Sequence, residues 1–190
     1  MNETTIFYPA SLTAWRTWLI KNHDSKQAVW LVFYTKASGK PTITWSEAVD
    51  VALCFGWIDS KKVKIDEETA HQFFSRRKPN STWSKINKEK VQQLTAKGLM
   101  AKPGLDSIEK AKQNGSWTIL DTVEALILPA DLETALAEHP GAKDYFLGLS
   151  RTIKKMMLQW IVLAKRSETR QKRIDEIAVL AGRQQKPKQF

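Results

Sequence analysis

Leu12, Trp15, Trp18 and Leu19 recur at intervals of three and four behind Ser11, which predicts an amphipathic helix with a serine cap. The run VWLVFYTK (Val29 to Lys36) is β-branched and aromatic and reads as a buried strand. Thr44-x-x-Glu47 is a capping-box signature. It opens a helix whose apolar positions Ala48, Val49, Ala52 and Leu53 share one face, with Gly56 as its stop. Trp57 to Ile65 and Thr69 to Arg77 predict two strands around the polar turn Asp66-Glu67-Glu68. Ser81 to Ser84 cap a helix carrying Val91 and Leu94 and ending near Gly98; Asp106-x-x-Glu109 opens a short one ending near Gly115. From Asp121 to Leu149 the pattern is helical, with breaks at Pro129 and at Pro140-Gly141. Ile153, Met156, Met157, Trp160, Ile161 and Ala164 form a stripe at helical spacing. Ser167 is placed to cap a second helix bearing Ile174, Ile177, Ala178 and Ala181, and the last eight residues, RQQKPKQF, read as a frayed end.

The fold class expected from this pattern is α+β and predominantly helical. A small antiparallel sheet, the hairpin plus one or two strands, belongs to the N-terminal portion, and the C-terminal portion is all-helical. The boundary falls between Trp117 and Pro129, giving an α+β domain over 1–120 and a helical domain over 121–190. At 190 residues, 42% of them hydrophobic, the chain can bury a real core. Eight Trp is a high count, and Trp anchors both cores and binding sites. One Cys excludes an intramolecular disulfide. The N-terminal stretch lacks the basic and apolar regions of a signal peptide, and no apolar run reaches the ~18 residues of a membrane span. The expected localisation is cytoplasmic.

Charge changes the picture. The net formal charge is +10. Residues 151–190 hold 11 basic and 3 acidic side chains, a net of +8, so the body of the protein is close to neutral. A basic segment of this kind suits an anionic partner, and it equally suits a solvated surface. Lys165, Arg166, Arg170, Lys172 and Arg173 cluster at the presumed turn of the last two helices, which makes nucleic acid the alternative partner. The second of those helices is poor in Asn and Gln, so only phosphate contacts are expected there.

The richest chemistry lies at the hairpin. If its turn centres on Glu67, Trp57 stands across from Arg77 and Asp59 across from Ser75. Arg77 would then stack on Trp57, with Asp59 one diagonal step away to orient the guanidinium. A register slip of one residue exchanges Arg77 for Arg76, so both belong to the candidate site. The helix start near Ser81 adds free backbone N–H groups, and Trp83 and Asn87 lie about one turn apart behind it. The set Trp57, Asp59, Arg76, Arg77, Ser81, Trp83 and Asn87 describes either a pocket for a small anionic or aromatic ligand or a filled structural corner. Catalytic signals are weak. Cys54 sits among apolar residues, as a buried thiol does. His23, His71 and His139 show no metal-ligand spacing, and no phosphate loop or dinucleotide fingerprint is present. No catalytic residue, cofactor or metal is expected.

Four stretches, ALCFGWIDSKK, RRKPNSTWSKIN, GLMAKPGLDSIEKAKQNGSW and LQWIVLAKRSETRQKRI, together resemble the YdeI/OmpD-associated family, also labelled bacteriocin-protection proteins. The resemblance runs over nearly the whole chain. It implies a bacterial origin, a C-terminal helical module and a loose link to antimicrobial-peptide tolerance or stress, with no established reaction. Two positions depart from the family pattern: Ser60 stands where a Gly often follows the GWID motif, and Ser75 where a Pro commonly precedes the two arginines. Many antimicrobial peptides are cationic, and a protein at +10 repels them within a Debye length of ~8 Å. An indirect role inside the cell is therefore expected rather than direct capture.

Overall fold

A computed structural model describes residues 5–190, which divide into one unit ending at Trp117 and another running from Thr118 to Phe190. The first unit holds β1 (Thr5–Phe7), α1 (Leu12–Asn22), β2 (Ala28–Tyr34), α2 (Trp45–Cys54), β3 (Trp57–Lys64), β4 (Thr69–Arg76), α3 (Lys85–Ala96) and α4 (Lys102–Gln113). The strands form one sheet in the order β1-β2-β4-β3. The β2–β4 and β3–β4 pairs are antiparallel as expected, but β1 joins β2 in parallel, so the sheet is mixed. The three-residue β1 was too short to show a period in the sequence.

Local chemistry explains the elements. Ser11 Oγ accepts from the Ala14 N–H at 3.1 Å and starts α1. The Thr44–Glu47 box is complete: Thr44 Oγ1 accepts from the Glu47 N–H at 3.2 Å, and Glu47 accepts from the Thr44 N–H at 2.8 Å. The inner face of the sheet buries Val29, Leu31, Phe74 and Trp57 against Trp15 and Leu19 of α1 and Ala48, Ala52 and Leu53 of α2. Helix α4 begins four residues before the expected Asp106, because Pro103 sits in the first turn, where its missing N–H costs nothing.

The second unit holds α5 (Asp121–Glu124), α6 (Ala130–Ala137), α7 (Ala142–Gly148), α8 (Arg151–Val162) and α9 (Ser167–Gly182) around a core of Leu132, Leu136, Phe146, Met157, Leu158, Ile161, Ile174 and Ile177. Ser167 is the first residue of α9 rather than its cap, a position held by Arg166. The tail is not frayed: Pro187 is buried and the Phe190 ring meets Trp160 edge-on at 5.6 Å. Among the described residues, no helix is long and apolar enough to cross a membrane.

Arg170 of α9 forks onto Asp131 of α6, its Nε donating to Oδ2 at 2.7 Å and its Nη2 to Oδ1 at 2.9 Å. The hydrogen bonds from Arg170 are the main reason the Asp131 carboxyl sits below its usual pKa. A carboxyl depressed in the folded state adds stability above its unfolded pKa and loses that stability as pH falls through the folded value. Asp131→Asn should therefore lower the urea-unfolding free energy of this unit at neutral pH by up to ~1 kcal/mol, a partly exposed pair being worth no more. The gap from the parent should narrow as pH falls through the lowered folded-state pKa of Asp131 and close once both states are protonated. A gap that persists unchanged into acid would contradict the account.

Candidate functional site

The register of the hairpin decides which arginine faces Trp57. Near the turn the pairing follows the expected register: Lys64 lies opposite Ala70, Val63 opposite His71 and Lys62 opposite Gln72. Between Asp59 and Lys62 a β-bulge then shifts it by one residue. Beyond it Trp57 pairs with Arg76 and Asp59 with Phe74, in place of the expected Arg77 and Ser75. The one-residue slip thus puts Arg76 beside Trp57 on the inner face and carries Arg77 past the end of the strand.

Arg77 does not stack on Trp57. Its guanidinium lies 3.7 Å from the centre of the Trp83 ring, and its Nη2 donates to the Thr82 carbonyl at 2.7 Å. Burial pushes the Arg77 pKa down to about 10, while the Asp59 carboxylate acts weakly in the opposite direction. The group therefore remains a cation at neutral pH, with much of its hydration removed. Asp59 accepts no hydrogen bond from Arg77; its Oδ2 accepts from Trp45 Nε1 at 2.9 Å and from Gln72 Nε2 at 3.3 Å. Trp57 and Trp83 are 0% and 1% exposed, both within the core. Asn87 lies in the first turn of α3, its N–H given to the Ser84 cap at 3.3 Å, so the helix starts at Lys85, four residues after Ser81.

Arg76 and Arg77 nevertheless border an open cleft of about 280 Å³. Phe55, Gly56 and Trp57 supply one wall from the α2–β3 junction, and His23 and Asp24 another from the end of α1. Pro103, Asp106, Ser107 and Lys110, spaced to share one face of α4, supply the third. Gly56, at φ +71°, allows the approach: a Cβ there would lie 3.0 Å from both the Pro103 carbonyl oxygen and Ser107 Cβ. His23 donates from Nδ1 to the Leu19 carbonyl at 3.0 Å, which fixes its ring with Nε2 3.6 Å from Asp24.

Cations dominate this cleft. Arg76, Arg77 and Lys110 line it against Asp24 and Asp106, and the Asp106 carboxylate is already bonded by Lys102 at 2.7 and 2.9 Å. Asp24 is 90% exposed and 3.8 Å from Arg76 Nη2, an ion pair too long for a hydrogen bond. Arg76 Nε and Nη2, Arg77 Nε and Trp57 Nε1 are all buried with no hydrogen-bond partner. Native proteins rarely leave such donors unpaired, and one site rarely holds several.

Of the seven hairpin residues, Trp57, Arg76 and Arg77 line this cleft, while Asp59, Ser81, Trp83 and Asn87 do not. Gly56, His23, Asp24, Ser107 and Lys110 were missed as site residues. The spacing along α4 was visible, but nothing in the sequence shows which element that face meets. His71 packs against Trp30, ring centres 6.4 Å apart, on the opposite face of the sheet. Cys54 is buried, and burial pushes its thiol pKa up. Among the described residues, no group of three or more His, Cys, Asp or Glu side chains is placed to hold a metal ion.

The basic cluster of the second unit is partly engaged within that unit. Arg170 is bonded to Asp131, and Arg173 donates to the Trp160 carbonyl with its guanidinium 4.9 Å from that ring. Lys165, Arg166 and Lys172 are exposed.

No curated protein and no solved structure matches the chain. Residues 125–184 match the family model described as Bacteriocin-protection, YdeI or OmpD-Associated, which confines that resemblance to the second unit. Residues 7–107, just over half of the chain and most of the cleft, match a different model, and the chain belongs to that family, a domain of unknown function (DUF8412).

Proposed function

We propose that the first unit is a binding module for a small oxyanion, a phosphate or carboxylate compound, seated in the cleft beside Arg76 and Arg77. What supports this reading is the set of buried guanidinium N–H groups left without partners at the cleft wall. Holding desolvated cations without full compensation costs stability, and an entering anion offsets that cost. Two guanidiniums present flat, multi-donor edges to such a group. With side-chain rotation, the buried N–H groups become its hydrogen bonds. Asp24, exposed and loosely paired to Arg76, is the carboxylate that the ligand displaces. The link to bacteriocin protection then runs through a bound metabolite inside the cell, since a net charge of +10 disfavours capture of cationic peptides.

The test is calorimetric titration with inorganic phosphate and with citrate at low ionic strength. Arg76 has a partly exposed side chain, so Arg76→Ala should fold. One charge-assisted hydrogen bond is worth about 1.5–3 kcal/mol. Losing it should weaken binding by roughly 10- to 100-fold. Absence of binding to either anion, or a folded Arg76→Ala of unchanged affinity, would remove the proposal.

A further inference from the structure

A second cleft, of about 240 Å³, lies on the same unit between the start of α2 and the outer end of the hairpin. We propose that it is a separate binding site, for a planar aromatic ring that carries a carboxylate. The inference does not rest on the oxyanion site, with which it shares no lining residue.

Its central feature is Trp45. This indole is 54% exposed, unusual for so large an apolar side chain, and forms one wall of the cleft. It is not free to move, because its Nε1 donates to Asp59 Oδ2 at 2.9 Å. Asp59 is held in turn by Gln72, which is 4% exposed and donates from Nε2 both to Asp59 at 3.3 Å and to the Ser60 carbonyl at 3.1 Å. Ser60 lies within the β-bulge, where the ladder to β4 is interrupted and its carbonyl turns to a side-chain donor. Bulge, buried amide and carboxylate therefore form a chain of support ending on an exposed ring. An aromatic platform loses less entropy on binding when it is already ordered.

The other walls specify the occupant. Phe33, Tyr34 and Ile43 supply apolar and aromatic surface, and Lys36 and Lys62 bring two ammonium groups. Neither lysine has a carboxylate within ion-pair distance among the described residues. A flat ring against Trp45 with an anionic group toward the lysines matches both features. The volume lies below the ~300 Å³ lower end for drug-sized ligands, so one or two fused rings fit.

The probe is 1-naphthoate, followed by the indole N–H resonance of Trp45 in two-dimensional NMR of the full chain. Trp45→Phe assigns the resonance. The expected result is a saturable shift. Cyclohexanecarboxylate, with the charge and no flat ring, and 1-naphthalenemethanol, with the ring and no charge, should each bind at least ~10-fold more weakly, one decade being a modest contact energy. Lys62→Ala should weaken 1-naphthoate by a similar factor, read from the same resonance. Trp45→Ala, an exposed position, should abolish the saturable shifts of the Lys62 and Phe33 amides. No saturable shift, equal binding of cyclohexanecarboxylate, or amide shifts that survive in Trp45→Ala would overturn the proposal. Phosphate binding in the other cleft should be unchanged in Trp45→Ala.

Discussion

Gly104→Ala is expected to lower the unfolding free energy of the first unit by about 3 kcal/mol or more, at or beyond the upper end for overpacked sites. A Cβ at this position would lie 2.3 Å from the Cys54 carbonyl oxygen, 2.7 Å from its carbon and 2.9 Å from the Leu53 carbonyl oxygen. All three are backbone atoms, so no side chain can rotate to make room. Helix α4 would have to lift from the end of α2, breaking the 3.0 Å bond from the Ala101 N–H to the Cys54 carbonyl. The same contact brings Pro103 and Ser107 to the cleft wall, so phosphate affinity should fall together with stability. Gly148→Ala is the control: a Cβ there meets nothing within 4 Å, and a helical alanine gains up to ~1 kcal/mol over glycine. Urea titrations followed by Trp fluorescence for the first unit and by circular dichroism for the second distinguish the two. A Gly104→Ala protein within ~0.5 kcal/mol of the parent, the range of surface substitutions, would show the contact to be soft.

Much of this architecture was readable because it is local. The Ser11 and Thr44–Glu47 caps act within one turn of chain, so three or four residues specify them. Asp66 closes the hairpin turn in the same way, its Oδ1 accepting from the Glu68 and Thr69 N–H groups at 2.8 and 2.7 Å. What was not readable depends on distance along the chain. The bulge at Ser60–Lys61 leaves hydrophobic alternation intact on each side and shows itself only where pairing resumes one residue out of step. That single residue exchanged Arg77 for Arg76 opposite Trp57 and released Asp59 to hold Trp45. The α4 wall of the cleft was hidden for a related reason. Pro103, Ser107 and Lys110 look like an ordinary solvated helix face until the fold lays that face against Gly56. The two arginines were legible as chemistry, and their partners required the tertiary structure.

Trp83 separates a structural from a functional role for the Arg77 wall. Its ring is 1% exposed, packs against Trp117 at 5.0 Å and carries the Arg77 guanidinium at 3.7 Å. Trp83→Ala should cost about 3–5 kcal/mol, as loss of a large buried ring does. It should also release Arg77 from the ring while its bond to the Thr82 carbonyl stays, so phosphate binding should weaken by roughly tenfold, about 1.4 kcal/mol. Trp83→Phe keeps an aromatic face of smaller area, and a cation–π contact persists on Phe at reduced strength. This variant should lose less than half as much stability and hold phosphate within about threefold of the parent, under 1 kcal/mol. The comparison works because the two substitutions differ in the face offered to the guanidinium as well as in volume. If Ala and Phe proteins, both folded at the temperature of titration, bind phosphate equally well, the ring does not position Arg77 for the ligand and Trp83 is only a core residue. If affinity follows the presence of the ring, the same stacking that buries the cation also aims it at the cleft.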